Sequence, residues 1–184
     1  MTLVHTPTFR LNSILFVVFL ALAVGLWMGM PDRYPVHFRL LGEPTRWTED
    51  GPGMWILLVA LCTISFGKLH LFQRFLFHDP DSTLLNVPYK RLFQKLPTPR
   101  KVPVARRVNR MLGLANTGLL LTYSFVLLLV YYSAHNPDSG AARAANYSLL
   151  VVVVFMLVFP LVELVALRRM VRRKLEEEGL FAAP

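Results

Sequence analysis

The chain has 184 residues, of which 54% are hydrophobic and 17% are charged, and its mean hydropathy is +0.46. These values are typical of a multi-pass membrane protein and argue against a soluble domain. The formal net charge is +9, but the basic residues cluster beside apolar runs. Membrane topology and anionic lipid therefore explain the charge more simply than nucleic acid, which we do not expect as a partner.

Four apolar runs are each about 20 residues long, which is the length a helix needs to cross a hydrocarbon core of about 30 Å. Because backbone groups in lipid must bond within their own segment, we predict an all-α integral membrane fold with four transmembrane helices in one domain, residues 1–184. The predicted helices cover about 11–30, 54–76, 111–132 and 147–170.

Helix one has features of a cleaved signal peptide, namely a basic residue, an apolar core and small residues near Ala23. Its apolar run continues to Met30, which favours a retained anchor. Small side chains recur along two helices and predict close helix packing, because they let backbones approach each other. These residues are Ala21, Gly25 and Gly29 in helix one, and Gly113, Thr117 and Ser124 in helix three.

Residues 31–50, between helices one and two, alternate apolar and polar side chains from Tyr34 to Leu40. Gly42 and its neighbours then supply turn residues before a second short alternating stretch. This pattern predicts a small β-hairpin on the outer ends of the helices, which must pack on them because an isolated hairpin is marginal in water. His37 has too few neighbouring ligand types for a metal site, so we expect it to face water or form a hydrogen bond.

Lys and Arg are concentrated in a loop, residues 78–110, and in the basic C-terminal tail, residues 168–184. The positive-inside rule therefore predicts that both termini and this loop are cytoplasmic and that the hairpin is extracytoplasmic. Within the loop, Tyr89, Leu92, Phe93 and Leu96 recur at helical spacing. They predict a short interfacial helix lying among the headgroups, or alternatively one holding a partner protein, before Pro97, Pro99 and Pro103 break the chain.

Polar residues follow the apolar part of helix two, and Glu163 is the one acid inside an apolar run. A lone carboxylate in a membrane is costly, so we expect it to pair with Lys68 or Arg74, as a structural clamp rather than a proton relay. The predicted intramembrane polar cluster consists of Lys68, His70, Arg74, Asn116 and Glu163.

The stretch "MPDRYPVHFRLLGEP" resembles the signature of a bacterial membrane family, the domain of unknown function numbered 1648. A later stretch, "LLNVPYKRLF", is similar to a cytoplasmic motif of relatives of this length. The chain departs from the pattern at Thr45, where an acid is usual, and at Tyr89, where a small polar residue is usual. The matching residues are Pro31, Asp32, Pro35, His37, Phe38, Gly42, Pro44, Asn86, Pro88 and Lys90. The resemblance implies a bacterial inner-membrane protein and a relation to SdpI-type immunity and signalling proteins.

The sequence contains no phosphate-binding loop, no nucleophile elbow and no zinc-protease motif, so we expect no enzyme, metal or cofactor. Two hypotheses remain open. In the first, the chain is a small sensor or immunity-like module whose outer hairpin recognises an envelope component or partner. In the second, it is an accessory or assembly subunit of a larger membrane complex. The expected partners are the bilayer, with anionic lipid at the cytoplasmic face, and another membrane protein or a second copy.

Overall fold

A computed structural model describes residues 7–49, 51–76 and 79–180 of the chain. Four of its helices are long and apolar enough to cross a membrane, and a two-stranded antiparallel hairpin lies between the first two, as predicted. The elements in chain order are α1 (Pro7–Met28), β1 (Tyr34–Phe38), β2 (Pro44–Thr48), α2 (Gly53–Leu71) with a π-helical turn (Phe72–Leu76), α3 (Lys90–Phe93), α4 (Thr98–His135) and α5 (Gly140–Glu177).

The chain divides into two compact units, and each takes part of α1, α2, α4 and α5. We call the first the basic unit; it consists of Met1–Asn12, Lys68–Asn116 and Met156–Pro184. We call the second the hairpin unit; it consists of Ser13–Gly67 and Thr117–Phe155.

The hairpin unit has an apolar core to which β1 contributes one face. Tyr34 is buried, Val36 and Phe38 pack against the core, and His37 between them is exposed, as predicted. Pro35 was predicted on the polar side but is buried, and the strand register is irregular between Pro35 and His37, so the alternation fails at that position. The prediction that Leu40 continues this apolar face is wrong. Since β1 ends at Phe38, Leu40 lies in the turn and is 78% exposed.

The basic unit has its own apolar core, made by the connection between α2 and α4 together with the start of α4 and the end of α5. Phe93 and Leu96 are each only 2% exposed and pack with Val104 and Val171. The predicted interfacial helix lying on lipid is therefore wrong: α3 is a single turn, and its apolar side is covered by the chain's own helices.

Helix α4 begins at Thr98 rather than at Met111, and the prolines do not break the chain as predicted. Pro99 lies in the first turn, where a missing N–H removes no helical hydrogen bond. The N–H that Pro103 lacks would have bonded to the carbonyl of Pro99, so only one bond of the next turn is lost. The lost hydrogen bond is offset by the burial of apolar side chains, because Val104, Ala105 and Val108 lie on one face of this added stretch of helix, in the basic unit's core.

Helix α5 begins at Gly140 rather than near Tyr147. The hydroxyl of Ser139 accepts a hydrogen bond from the backbone N–H of Ala142 at 3.1 Å, which is an N-cap. The added turns bury Ala142, Ala145 and Asn146 in the hairpin unit. At its other end α5 continues through the basic segment to Glu177, so the predicted tail is helical to that point.

Candidate functional site

The inner side of the hairpin is fixed by aromatic residues. The Tyr34 hydroxyl donates a 2.7 Å hydrogen bond to the carbonyl of Gly51, and the Trp27 ring meets the Tyr34 ring edge-on, with centroids 6.1 Å apart. Trp55 donates its indole N–H to the carbonyl of Ala23 in α1 at 3.2 Å. Tyr34 thus ties the start of β1 to α1 and to the segment before α2, and Trp55 ties α2 to α1.

The hairpin turn requires glycine at position 42 for two reasons. Gly42 has φ of +86°, in the left-handed region, and its N–H donates to the carbonyl of Arg39 at 2.9 Å. A Cβ at this position would lie 2.7 Å from Cγ of Asn146 in α5, so there is also no room for a side chain. The family-motif glycine therefore lets the turn approach α5 within the hairpin unit.

The outer side of the hairpin places two basic side chains opposite each other, because His37 on β1 pairs with Arg46 on β2. Both are exposed. His37 Nδ1 lies 2.6 Å from the hydroxyl oxygen of Thr45, and that hydroxyl lies 3.3 Å from the His37 carbonyl. One hydroxyl proton can serve only one of these contacts. When it bonds to the carbonyl, His37 Nδ1–H is the donor to Thr45.

A cleft of 470 Å³ opens beside this pair, and we call it the hairpin cleft. Arg33 holds its guanidinium 5.4 Å from the centre of the Trp47 ring and 3.7 Å from the carboxylate of Glu49. Both partners of this ion pair are mostly exposed, so it is weak. The residues that line the cleft are Arg33, Val36, His37, Arg46, Trp47, Thr48, Glu49 and Met54.

The remaining motif residues separate into two places. Pro35 is buried and Pro31, Phe38 and Pro44 are half-buried in the hairpin unit, whereas Asp32 is exposed there. Asn86, Pro88 and Lys90 lie in the connection of the basic unit, where Asn86 and Lys90 are exposed.

A buried polar cluster in the basic unit joins α1, the π-helical turn and α4. Asn12 donates its side-chain amide to the carbonyl of Gly113 at 2.8 Å. Gln73 donates to the carbonyl and the side-chain oxygen of Asn109 at 3.1 and 3.2 Å. Asn116 is fully buried, and neither atom of its amide has a hydrogen-bond partner in the described part of the chain. The π-helical turn places Gln73 in this cluster, and such turns are frequent at functional sites.

The predicted intramembrane cluster is not assembled as expected. Glu163 bonds with Arg107 at 2.8 Å, so the predicted pairing with Lys68 or Arg74 is wrong. The reason is the early start of α4, which puts Arg107 on a helix rather than in a loop. His70 stacks on Phe9 with ring centroids 3.8 Å apart, and Arg74 lies over the ring of Phe75 at 5.5 Å. Lys68 is exposed on α2.

The predicted packing glycines and hydroxyls have different surroundings. A Cβ at Gly29 would lie 2.9 Å from the Tyr131 hydroxyl, so the Tyr131 side chain packs against the backbone at the end of α1. A Cβ at Gly113 would lie 2.8 Å from the Gln73 amide nitrogen, so the Gln73 side chain packs against the backbone of α4. A Cβ at Gly25 would meet nothing within 4 Å, and Ala21 is exposed. Ser124 donates to the carbonyl of Leu120 in its own helix. Thr117 is half-buried on α4.

The connection of the basic unit is held by ion pairs that the sequence did not reveal. Asp81 accepts bonds from Lys101 and from the Thr98 hydroxyl, both at 2.7 Å. These two hydrogen bonds, the one from Lys101 first, lower the pKa of the Asp81 carboxyl below its usual range. Tyr89, with φ of 57°, accepts a bond from Arg168 of α5 at 3.2 Å.

No group of three or more His, Cys, Asp or Glu side chains that could hold a metal ion occurs within residues 7–49, 51–76 and 79–180.

Comparison with known proteins gives one match. Residues 14–61 match the model of the family described as "Domain of unknown function (DUF1648)", as the resemblance of the hairpin motif predicted. The matched segment runs from α1 through the hairpin into α2. No curated protein and no solved structure matches the chain.

Proposed function

We propose that this chain is a non-catalytic multi-pass membrane protein that recognises an envelope component or partner through the outer side of its hairpin. The observation that carries the proposal is the contrast between the two sides of the hairpin. One side and the turn are fixed by Tyr34 and Gly42, while the other presents His37 and Arg46 to solvent. Polar side chains on a rigid support are suited to recognition, because little freedom is lost when a partner binds.

The distribution of charge supports an orientation with the hairpin outside the cell. The basic unit has 16 of the 20 Lys and Arg residues and six acids, an excess of ten positive charges. The hairpin unit has four basic residues and five acids, an excess of one negative charge. By the positive-inside rule, the basic unit and both termini are cytoplasmic, and the hairpin lies beyond a bacterial inner membrane.

The hairpin is well placed to report a binding event. It is joined to α1 by residues 29–33 and to α2 by residues 49–52, and both helices continue along the chain into the basic unit. A partner that binds one arrangement of the hairpin better than another would shift the populations of the attached helices by that difference in affinity. This is the physical content of a sensor or immunity-like role.

A second candidate function is an accessory or assembly subunit, and the surface of α5 favours it. In the most apolar window of α5, 18 residues long, none is buried. Leu157 is 68% exposed and Leu161 is 65% exposed. Lipid can cover such a face, but so can a helix of a larger membrane protein.

Site-specific photo-crosslinking in cells distinguishes the two candidates. A photoreactive benzoylphenylalanine replaces Met54, an exposed and uncharged residue that lines the hairpin cleft, in one variant and Leu157 in another, with Leu41 at the hairpin tip as the matched external position. We expect a defined adduct from position 54, weaker adducts from position 41, and lipid adducts alone from position 157. A single protein adduct from position 157 with none from position 54 would favour the accessory subunit and contradict hairpin recognition.

A growth assay then tests the consequence of binding. Cells that lack the chain receive either the wild type or an Arg46→Glu variant at equal membrane abundance. The recognition proposal predicts that the two differ in sensitivity to an externally added, envelope-directed peptide. Equal sensitivity of both strains and of the strain without the chain would remove the immunity-like role.

A further inference from the structure

We infer that the hairpin cleft binds a phosphate group, either on a lipid headgroup or on a soluble phosphate compound. The inference rests on the proposed function, because it names the chemistry that the outer side of the hairpin would recognise. It draws on three features of the cleft: an opposed pair of basic side chains, an exchangeable arginine, and a volume suited to a small polar group.

The first feature is the pairing of His37 with Arg46. Their Cα atoms are partners across the hairpin, in a register that is irregular on both sides of His37. The Arg46 side chain makes no hydrogen bond and no ion pair with any residue in the described ranges. A phosphate between the Arg46 guanidinium and the His37 ring would supply the acceptor oxygens that the Arg46 side chain lacks.

The second feature is Arg33, whose contacts in the cleft are weak enough to be replaced by contacts with a ligand. Its guanidinium lies 5.4 Å from the centre of the Trp47 ring, within the range of a cation–π contact, and its contact with Glu49 at 3.7 Å is longer than a charge-assisted hydrogen bond. An exposed pair of this kind contributes about 0–1 kcal/mol. A bidentate contact between a guanidinium and a phosphate is stronger, so Arg33 gains by leaving Glu49 for the ligand.

The third feature is the balance of charge and size. The cleft contains two arginines and His37 against one carboxylate, Glu49, and its volume of 470 Å³ falls within the range of small-molecule sites. When the Thr45 hydroxyl donates to Nδ1 of His37, the ring proton is on Nε2, which can then donate to a phosphate oxygen. The side chains of Val36 and Met54 add an apolar wall, which suits a phosphate attached to carbon.

Binding is tested with the full chain in a phosphate-free maltoside detergent. One arm adds inorganic phosphate, and the other adds short-chain phosphatidylglycerol as the headgroup source. The readouts are the NMR signals of the His37 ring and of the Arg46 guanidinium. We expect a saturable shift of both signals in at least one arm, and the arm that saturates at the lower concentration identifies the source.

The variants separate a site from general attraction by a basic protein. Arg46→Gln and Arg33→Gln should each weaken binding at least tenfold. Arg39→Gln removes the same charge from the same hairpin, but Arg39 lies outside the cleft and pairs with Glu43, so this control should bind as the wild type does. All three positions are exposed, and an unchanged thermal unfolding midpoint shows that each variant is folded.

No saturable shift in either arm, or an equal loss in the Arg39→Gln control, would overturn the inference. The two proposals fail separately. If no phosphate binds but an adduct forms from position 54, the phosphate site is removed and recognition by the hairpin stays in place. If phosphate binds but no adduct forms from position 54, the phosphate site stays and recognition of a partner by the hairpin is removed.

Discussion

Replacing Gly42 with alanine tests how the hairpin is held. The substitution keeps the turn at φ of +86°, which costs an L-residue about 1–2 kcal/mol. The new Cβ would also lie 2.7 Å from Cγ and 3.0 Å from Cβ of Asn146, a side chain that is only 5% exposed. Overpacking of this kind costs about 1–3 kcal/mol, so the total is about 2–5 kcal/mol.

Gly51 is a matched control, because it has φ of +64° but a Cβ there would meet nothing within 4 Å. Gly51→Ala should therefore cost only the backbone part, about 1–2 kcal/mol. The assay is limited trypsin digestion of the full chain in detergent, with cleavage after Arg39 and Arg46 followed by mass spectrometry. Cleavage follows the population of the opened hairpin, so a difference of about 2 kcal/mol corresponds to about 30-fold faster cleavage of Gly42→Ala.

Adding Asn146→Ala to the Gly42→Ala variant should slow its cleavage again in part, since the second substitution removes Cγ of Asn146, the atom nearest the new Cβ. Equal cleavage rates for Gly42→Ala and Gly51→Ala would refute the reasoning, because the contact with Asn146 would then carry no energy.

Three further predictions concern the basic unit. Glu163→Gln and Arg107→Gln should couple by about 1 kcal/mol in a double-mutant cycle of thermal unfolding, as a partly buried pair does, and additive losses would contradict the pair. Asp81 has a lowered pKa, so its stabilisation is present above the ordinary carboxyl range near 4 and is lost as pH falls through the lowered value. The unfolding midpoint of Asp81→Asn should therefore lack this acid-induced fall, and parallel pH curves would argue against the bond with Lys101. Asn116→Leu should raise the unfolding midpoint, because a buried amide without a partner costs about 1–3 kcal/mol, whereas a lower midpoint would show that the amide is bonded.

Local periodicity was enough to predict the main elements. The four apolar runs predicted the helices, and the alternation from Tyr34 to Phe38 predicted β1 and its buried side except at Pro35, which is buried as well. The start of α4 was missed, although Val104, Ala105 and Val108 repeat at helical spacing. The three prolines led to the prediction of a break in the chain, but a helix tolerates proline in or near its first turn.

The features that the sequence could not supply are contacts between distant segments. Several basic side chains are candidates for the partner of Glu163, and only the register of α4 against α5 in the basic unit selects Arg107. The close approach of Gly42 and Asn146 likewise depends on where α5 begins, which the Ser139 cap sets. The burial of Phe93 and Leu96 was misassigned to lipid, since periodicity shows an apolar face but not what covers it.

The proposed function depends on one proposal, that the chain crosses the membrane four times with its hairpin outside the cell and both termini inside. Cys62 is the one native cysteine and is fully buried, so a Cys62→Ala chain is a suitable background for single cysteines. Leu41→Cys and Thr83→Cys place a thiol on the hairpin turn and on the connection of the basic unit, both at exposed positions. With a membrane-impermeant maleimide on intact spheroplasts, position 41 should be labelled at once and position 83 only after lysis. Labelling of position 83 before lysis, or of both positions alike, would contradict the account.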